Sequence, residues 1–500
     1  MITCQRITIK RGGPMSDEKT MQKNQVSRRR FLQTIGVGAG ALTLLNPVGL
    51  LRAQADETIR IGVLVPLLLD QGNSANRGAF IAKDEINRST DKVLGRPLQL
   101  ITADDQALPQ VGAQQFTKLV TDQKALLVTG EFLDEVMLAI MPQIGRLGVP
   151  FVNTGSATPQ TSQMVKGDYE QFKFYFRVML NTEVLTEDTV AMAAALLKEK
   201  MGLTAMAILA EDGQFGRDYQ KFMEEKLPSV GLSVAKGASL RFPLDNRDFG
   251  PFLAKITDSN AQAIIIAFAF NSGVGFVIEW ASKAAHLPVV GINVAGQAFE
   301  YWKDTSGKVS SHLYADAATG ATAVTPKTLP FFHSYVKRFK TRPIHPLFTG
   351  YTTYDAIYLI KEAIERIGTP PPPASDSSAT ASYRDQLVDA LEKTDYVGTI
   401  GRIRFQGKND RFPHDPMLKD AEGHTLVVPK WVQWLEKNDR GLVWPLSFLP
   451  SDVQQKLDEQ WKAYRTGYQA CSGAASCEAQ DLKQLSQGLD TALGDNKETP

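Results

Sequence analysis

The 500-residue chain contains only three cysteines and six histidines. So few cysteines exclude a disulfide scaffold or a cysteine-rich metal cluster. CxxCH, HxxxH, HExxH and G-x-S-x-G are all absent, which removes the usual haem, zinc-hydrolase and serine-hydrolase signatures. Charge of one sign is not in excess either: the formal net charge is +1 with 22% charged residues. That balance gives no electrostatic case for nucleic acid or a lipid surface. After residue 55 there is no long apolar run. With 43% hydrophobic residues the chain can bury substantial cores, and a small molecule is the expected partner.

What is present begins at the N-terminus. In "SRRRFLQTIGVGAGALTLL" (27–45) three arginines precede a glycine-studded, weakly apolar stretch, too interrupted for a bilayer-spanning helix. Serine, twin arginine, Phe31 and Leu32 resemble the recognition motif of the twin-arginine export pathway, and Ala53-Gln54-Ala55 supplies a small-x-small cleavage pattern. Residues 1–55 are therefore expected to be a signal peptide cut before Asp56. The competing reading is a basic patch followed by a buried helix. Export would make the twin-arginine translocase a transient partner and the periplasm the destination. "GVGAG" (36–40) falls inside this signal, so it is not a dinucleotide loop, and Cys4 would be removed. Cys471 and Cys477, separated by small residues in "ACSGAASCE", are then candidates for a local disulfide stapling a tail, in preference to a metal site.

About 445 residues remain, more than one core usually serves. "TIRIGVLVP" (58–66) reads as a strand and "SANRGAFIAKDEINRS" (74–89) as a helix; strands and helices of ten to fifteen residues then alternate twice over. The expected class is α/β: two doubly wound parallel-sheet lobes. Lobe 1 is expected at 56–178, completed by about 315–393, and lobe 2 at 183–312, completed by about 396–445. A Pro/Ser/Ala linker, "TPPPPASDSSATAS" (369–382), interrupts the later helices, and 446–500 is left as a C-terminal extension.

"GVLVP", "RGAFIAKDEIN", "LGRPLQLITADD", "GVPFVNTGSATP", "AEDGQFGRDY", "HLPVVGIN", "GYTTYDAIYLIKEAI" and "GTIGRIRFQGKNDR" occur in this order between residues 58 and 445. Together they resemble the landmarks of type I periplasmic solute-binding proteins, in the branched-chain amino acid binding branch that serves ABC importers. The resemblance implies two lobes joined by a three-crossover hinge, an interlobe ligand cleft, no cofactor, delivery to permease subunits, and a monomer. It implies a non-enzyme that captures a small carboxylate-bearing or amide ligand, branched-chain and aromatic amino acids included. A ligand sensor docking on a receptor, or an exported enzyme, are the alternatives.

Ligands of open α/β sheets sit beyond the carboxyl ends of the strands, so the post-strand loops carry the candidate site. In "NTGSATPQTS" small and hydroxyl residues let backbone N–H groups approach an anion. The resemblance assigns the ligand carboxylate to Gly155, Ser156 and Ala157, with Thr158 beside them; the alternative is an ordinary helix cap. Asp134 in "GEFLDEV" stands where the family usually offers a small hydroxyl residue. It can accept an ammonium, amide or hydroxyl from the ligand, or serve as a helix N-cap. Phe215 and Phe270, at the ends of lobe 2 strands, are candidates for a lid of rings. Asn293 stands where amino-acid binders tend to place an acid, so either Asp134 takes the ammonium or the ligand is not an α-amino acid. Leu69 and Gln71, in a short leucine-rich first loop, are candidates for narrowing the cleft. His414 and Asp415 in "FPHDP" make no metal site by themselves, and a solvent-facing histidine is expected there.

Overall fold

The β-branched run IRIGVLV forms strand β1 (Ile59–Val65), buried at every position but Arg60. A strand apolar on both faces needs a covering layer on each side, which is the signature of a doubly wound sheet. The computed structural model describes residues 58–298, 300–309, 313–316, 324–343, 347–427, 430–435, 438–470 and 478–498. The expected signal peptide, Cys471 and Cys477 lie outside the described residues.

Lobe 1 continues through α1 (Asp70–Arg88), β2 (Leu98–Asp104), α2 (Pro109–Thr121), β3 (Leu127–Gly130), α3 (Asp134–Leu147), β4 (Phe151–Asn153), α4 (Gln160–Gly167) and β5 (Tyr175–Arg177). All five strands are parallel, in the order β2-β1-β3-β4-β5. Lobe 2 comprises α5 (Thr182–Ala193), β6 (Ala205–Glu211), α6 (Gln214–Lys226), β7 (Ser233–Phe242), α7 (Gly250–Asp258), β8 (Ala263–Phe268), α8 (Ser272–Lys283), β9 (Val289–Asn293) and β10 (Leu313–Asp316). Successive residues of β6 feed opposite cores, Met206, Ile208 and Ala210 into one and Ala207 and Leu209 into the other. That alternation is the period-two geometry of a strand covered on both faces.

The chain then returns to lobe 1 with α9 (Thr328–Phe339), α10 (Leu347–Ile367), α11 (Ser377–Glu392) and the hairpin β11 (Tyr396–Val397) and β12 (Arg402–Ile403). Helices α1 and α10 approach so closely that a Cβ on Gly78 would lie 2.1 Å from the carbonyl oxygen of Gly350. Only glycine permits that contact. Lobe 2 resumes with β13 (Lys430–Trp434), β14 (Arg440–Trp444), α12 (Ser451–Ala470), α13 (Glu478–Leu493) and β15 (Lys497–Glu498). The chain thus passes between lobes three times: after Arg177, between Asp316 and Val324, and between Val427 and Lys430.

Three expectations are corrected. Residues 396–427 belong with lobe 1, because Tyr396, Ile400, Ile403, Phe405, Phe412 and Val427 are buried in its core. Lobe 2 is correspondingly completed from Lys430 onward, and on its other side it retains β10 as far as Asp316. The lobe 2 sheet is mixed: β7, β6, β8, β9 and β10 run parallel, whereas β13, β14 and β15 add antiparallel pairs. Finally, the extension is core rather than tail. Val453, Leu457 and Trp461 of α12, with Leu485 and Leu489 of α13, are buried in the same core cluster as Met206 and Ile208.

Candidate ligand-binding site

Strand order reverses between β1 and β3 in lobe 1 and between β6 and β8 in lobe 2. Loops leaving the carboxyl ends of such strands splay apart and open a crevice. In lobe 1, β3 ends at Gly130, whose φ of +116° brings the site of a Cβ to 2.2 Å from the carbonyl oxygen of Leu64. The buried carboxylate of Glu131 then accepts the backbone N–H groups of Phe132 and Leu133 at 2.9 and 2.8 Å. Burial and the neighbouring Asp105 raise Glu131 well above the carboxylate range, and burial pushes Asp105 itself up to about 6.

Asp134, the first residue of α3, is 4% exposed. It does not cap its own helix. Its Oδ1 reaches the loop after β4, where it accepts Ser156 Oγ–H at 2.8 Å and the backbone N–H groups of Ala157 and Thr158 at 2.6 and 2.9 Å. Asn153 Oδ1 takes the remaining two N–H groups, those of Gly155 and Ser156, at 3.2 and 3.1 Å. Burial pushes Asp134 up to about 6 despite those donors. From below, the guanidinium of Arg177, fully buried, donates to the carbonyls of Ser156 and Thr158 and pairs with Asp415 at 2.8 Å. Asp415 also accepts from Ser162 Oγ at 2.6 Å and Asn181 Nδ2 at 2.8 Å. His414 is likewise buried, stacked on Phe176 with ring centres 4.1 Å apart and bonded to Glu392. The expectation of a solvent-facing histidine is overturned, because the segment holding it packs beneath lobe 1.

Lobe 2 meets this loop with its own buried acid. Glu211 closes β6, and its Oε2 accepts the N–H groups of Ala269 and Phe270, just beyond β8, at 2.6 and 3.2 Å. Burial pushes it up to about 7. Contacts cross between the lobes: Gln214 N–H donates to Glu135 Oε1 at 2.7 Å, Thr158 Oγ–H to Asp218 at 3.2 Å, and Gln71 Nε2 to the carbonyl of Ala269 at 3.3 Å. Between them lies a cavity of about 480 Å³, walled mainly by apolar side chains that include Leu69, Phe132, Met179, Phe215, Phe270 and Ile292. Its size and apolar walls with few polar groups are those of a small-molecule site.

Residues 58–419 match the family model described as periplasmic binding protein. The chain belongs to the periplasmic binding protein family. That family is a solute-binding one, with an extracytoplasmic setting. Solved structures agree on the fold. A putative branched-chain amino acid ABC transporter protein from Silicibacter pomeroyi has 18% identity and a TM-score of 0.67, covering 79% of this chain and 98% of its own. A leucine-binding protein from Thermotoga maritima has 18% identity and a TM-score of 0.62, with 77% and 97% covered. A solute-binding protein from R. palustris, in complex with benzoate, has 14% identity and a TM-score of 0.61, with 77% and 95% covered.

In this periplasmic binding protein Asp134, Gly155, Ala157, Phe215 and Phe270 line the cavity, as does Leu69. Ser156 and Thr158 lie behind it, tied to Asp134. Phe270 also packs against the core of the opposite lobe. Asn293 is not among the lining residues. Its amide bonds Tyr301 Oη at 2.9 Å and the N–H of Gly296 at 3.3 Å, while the flanking Ile292 and Val294 face the cavity. Glu211, Glu131 and Glu135 escaped the sequence reading. For Glu211 and Glu131 the signal was an acid standing at a strand end, in "AEDG" and "TGEF"; Glu135, inside α3, had none.

Proposed function

We propose that the protein is exported through the twin-arginine pathway, loses residues 1–55, and works as a monomeric, non-catalytic receptor in the periplasm. It captures a small carboxylate-bearing or amide compound, with branched-chain and aromatic amino acids among the candidates, and presents it to the permease of an ABC importer. The observation that carries this reading is the apolar cavity between the loops of two opposed sheets, in a chain of a solute-binding family. Phe215 and Phe270 cover the ligand from lobe 2, and the loop from Gly155 to Thr158, with Asp134, meets it from lobe 1. Ligand contacts made with both lobes favour the closed arrangement by its differential affinity alone.

A thermal-shift screen of the purified protein against amino acids, short-chain and aromatic carboxylates, amines and amides tests the reading. A ligand that binds only the native state at a hundredfold excess over Kd stabilises it by about 2.7 kcal/mol. A hit that is recovered chemically unchanged, and is weakened by Phe215→Ala, supports a receptor. A hit that is consumed overturns it.

A further inference from the structure

Every backbone N–H from Gly155 to Thr158 is already engaged inside the protein, two by Asn153 and two by Asp134. The carboxylate of Asp134 therefore occupies, from within, the place where an incoming anion would find its donors. A second carboxylate brought to the same donors would face like-charge repulsion in a desolvated cleft. Lobe 2 repeats the device, with Glu211 on the N–H groups of Ala269 and Phe270. Among the described residues, Asp134 Oδ2 and Glu211 Oε1 are both buried without a hydrogen-bond partner, and both residues line the cavity. Each acid thus has one oxygen committed to backbone and another that makes no close hydrogen bond, although the hydroxyl of Ser272 stands beside the Glu211 carboxylate. A buried acceptor left unsatisfied costs about 1–3 kcal/mol, more when charged, which a donor on the ligand would recover. The two acids stand at the strand-order reversals of opposite sheets, where a ligand spanning the crevice meets both.

We propose that the ligand is a largely apolar molecule carrying N–H donors, an amide or an amine, which hydrogen-bonds to Asp134 Oδ2 and Glu211 Oε1 while its apolar body lies among Phe132, Phe215 and Phe270. This rests on the solute-receptor reading and selects, within it, the donor-bearing class. A protonated amine would also favour the ionised form of both acids, whose charge burial now opposes.

The test is calorimetric titration of wild type, Asp134→Asn and Glu211→Gln with shape-matched probes: benzamide against benzoate, and 4-phenylbutylamine against 4-phenylbutyrate. Wild type is expected to bind amide and amine at least about tenfold more tightly than the matched acids, about 1.4 kcal/mol. Asp134→Asn, which turns one oxygen into a donor, is expected to weaken the amine about tenfold and shift preference toward the acid. Glu211→Gln, at the other lobe, is expected to weaken the amine without involving the Ser156 loop. Carboxylates binding wild type more tightly, with a ratio unmoved by either substitution, would overturn this inference and leave the receptor reading intact. Binding of neither series to any of the three proteins, each shown to be folded by a cooperative melting transition, would overturn the receptor reading and this inference with it.

Discussion

The Oδ1 atom of Asp134 lies 2.6 Å from the backbone nitrogen of Ala157, joining the start of α3 to the loop after β4 through a buried, charge-assisted bond. The same oxygen holds Thr158 N–H and Ser156 Oγ–H, so one carboxylate organises the whole loop. Replacing Asp134 by Ala leaves three buried donors unpaired and is expected to destabilise the protein by about 2–4 kcal/mol. Formate added to the variant should restore much of the lost melting temperature, because it supplies the missing acceptor. Wild type, whose loop is already filled, should show no such response.

Arg177 and Asp415 form a fully buried pair at 2.8 Å, and the guanidinium also holds the carbonyls of Ser156 and Thr158. Removing one partner strands the other charge. Arg177→Met is expected to cost about 3–5 kcal/mol in urea unfolding. Exchange of the amides of residues 155–158 should quicken as well, since their loop loses its support.

Glu135 of lobe 1 accepts the first N–H of α6 in lobe 2 at 2.7 Å, which places a carboxylate at the positive end of a helix across the cleft. Glu135→Ala is expected to favour separated lobes and raise the radius of gyration in small-angle scattering. Ligand affinity should fall about three- to tenfold, the loss set by the reduced closed population. An unchanged scattering profile and affinity would show that the remaining contacts, the Thr158–Asp218 and Gln71–Ala269 bonds with the apolar ones, hold the lobes together without it.

Burial holds the coupled pair Asp105 and Glu131 above ordinary carboxylate values, Asp105 at about 6 and Glu131 higher still. A carboxyl group whose folded pKa is raised keeps its proton after the unfolded chain has lost it. The folded state binds more protons between pH 4 and 6, so this pair lowers stability as pH rises through that window and above it. Asp105→Asn retains an acceptor for the N–H of Ala107 and removes one titrating charge. Its melting temperature is expected to exceed wild type by about 2 °C at pH 8. The difference should vanish toward pH 2 to 3, below the unfolded values, where both carboxyls are protonated in either state.

Deletion of residues 446–500 removes Trp461, Leu457, Leu485 and Leu489 from the lobe 2 core. At about 1.5–3 kcal/mol for each large apolar side chain returned to water, the truncated lobe should not fold cooperatively. Loss of the cooperative transition, or recovery only in aggregates, is the expected result.

Much of this architecture was legible in the residues. IRIGVLV and AIIIAF are buried strands because nothing in them tolerates water on either face. The strand and helix alternation follows from the switch between period two and period 3.6. The loop "NTGSATP" was recognisable as a place where backbone N–H groups converge. The last third of the chain was less legible. Segments as short as Tyr396–Val397 and Arg402–Ile403 carry too little periodicity to reveal which core buries them. Helices α12 and α13 have apolar residues at helical spacing, but a stripe on a helix does not say which surface it will cover.

By itself the sequence determined the fold class, the two blocks of alternating strands and helices, and the post-strand loops that could carry a site, since hydrophobic period and strand-end chemistry are local properties. Only the tertiary structure decided which groups take the N–H donors of the loop after β4. Asp134 is 23 residues from Ala157, and Glu211 is 58 from Ala269, so neither bond has a sequence spacing that could announce it. Hydrogen bonds between loops depend on which strands become neighbours, and that order is set by packing of the whole sheet. Asn293 shows the converse. The family resemblance marked it as a ligand contact, whereas at the end of β9 its amide is bonded to Tyr301. A polar side chain in a crevice is satisfied by the first good partner the fold supplies, and the residues it leaves unsatisfied are the ones free to meet a ligand.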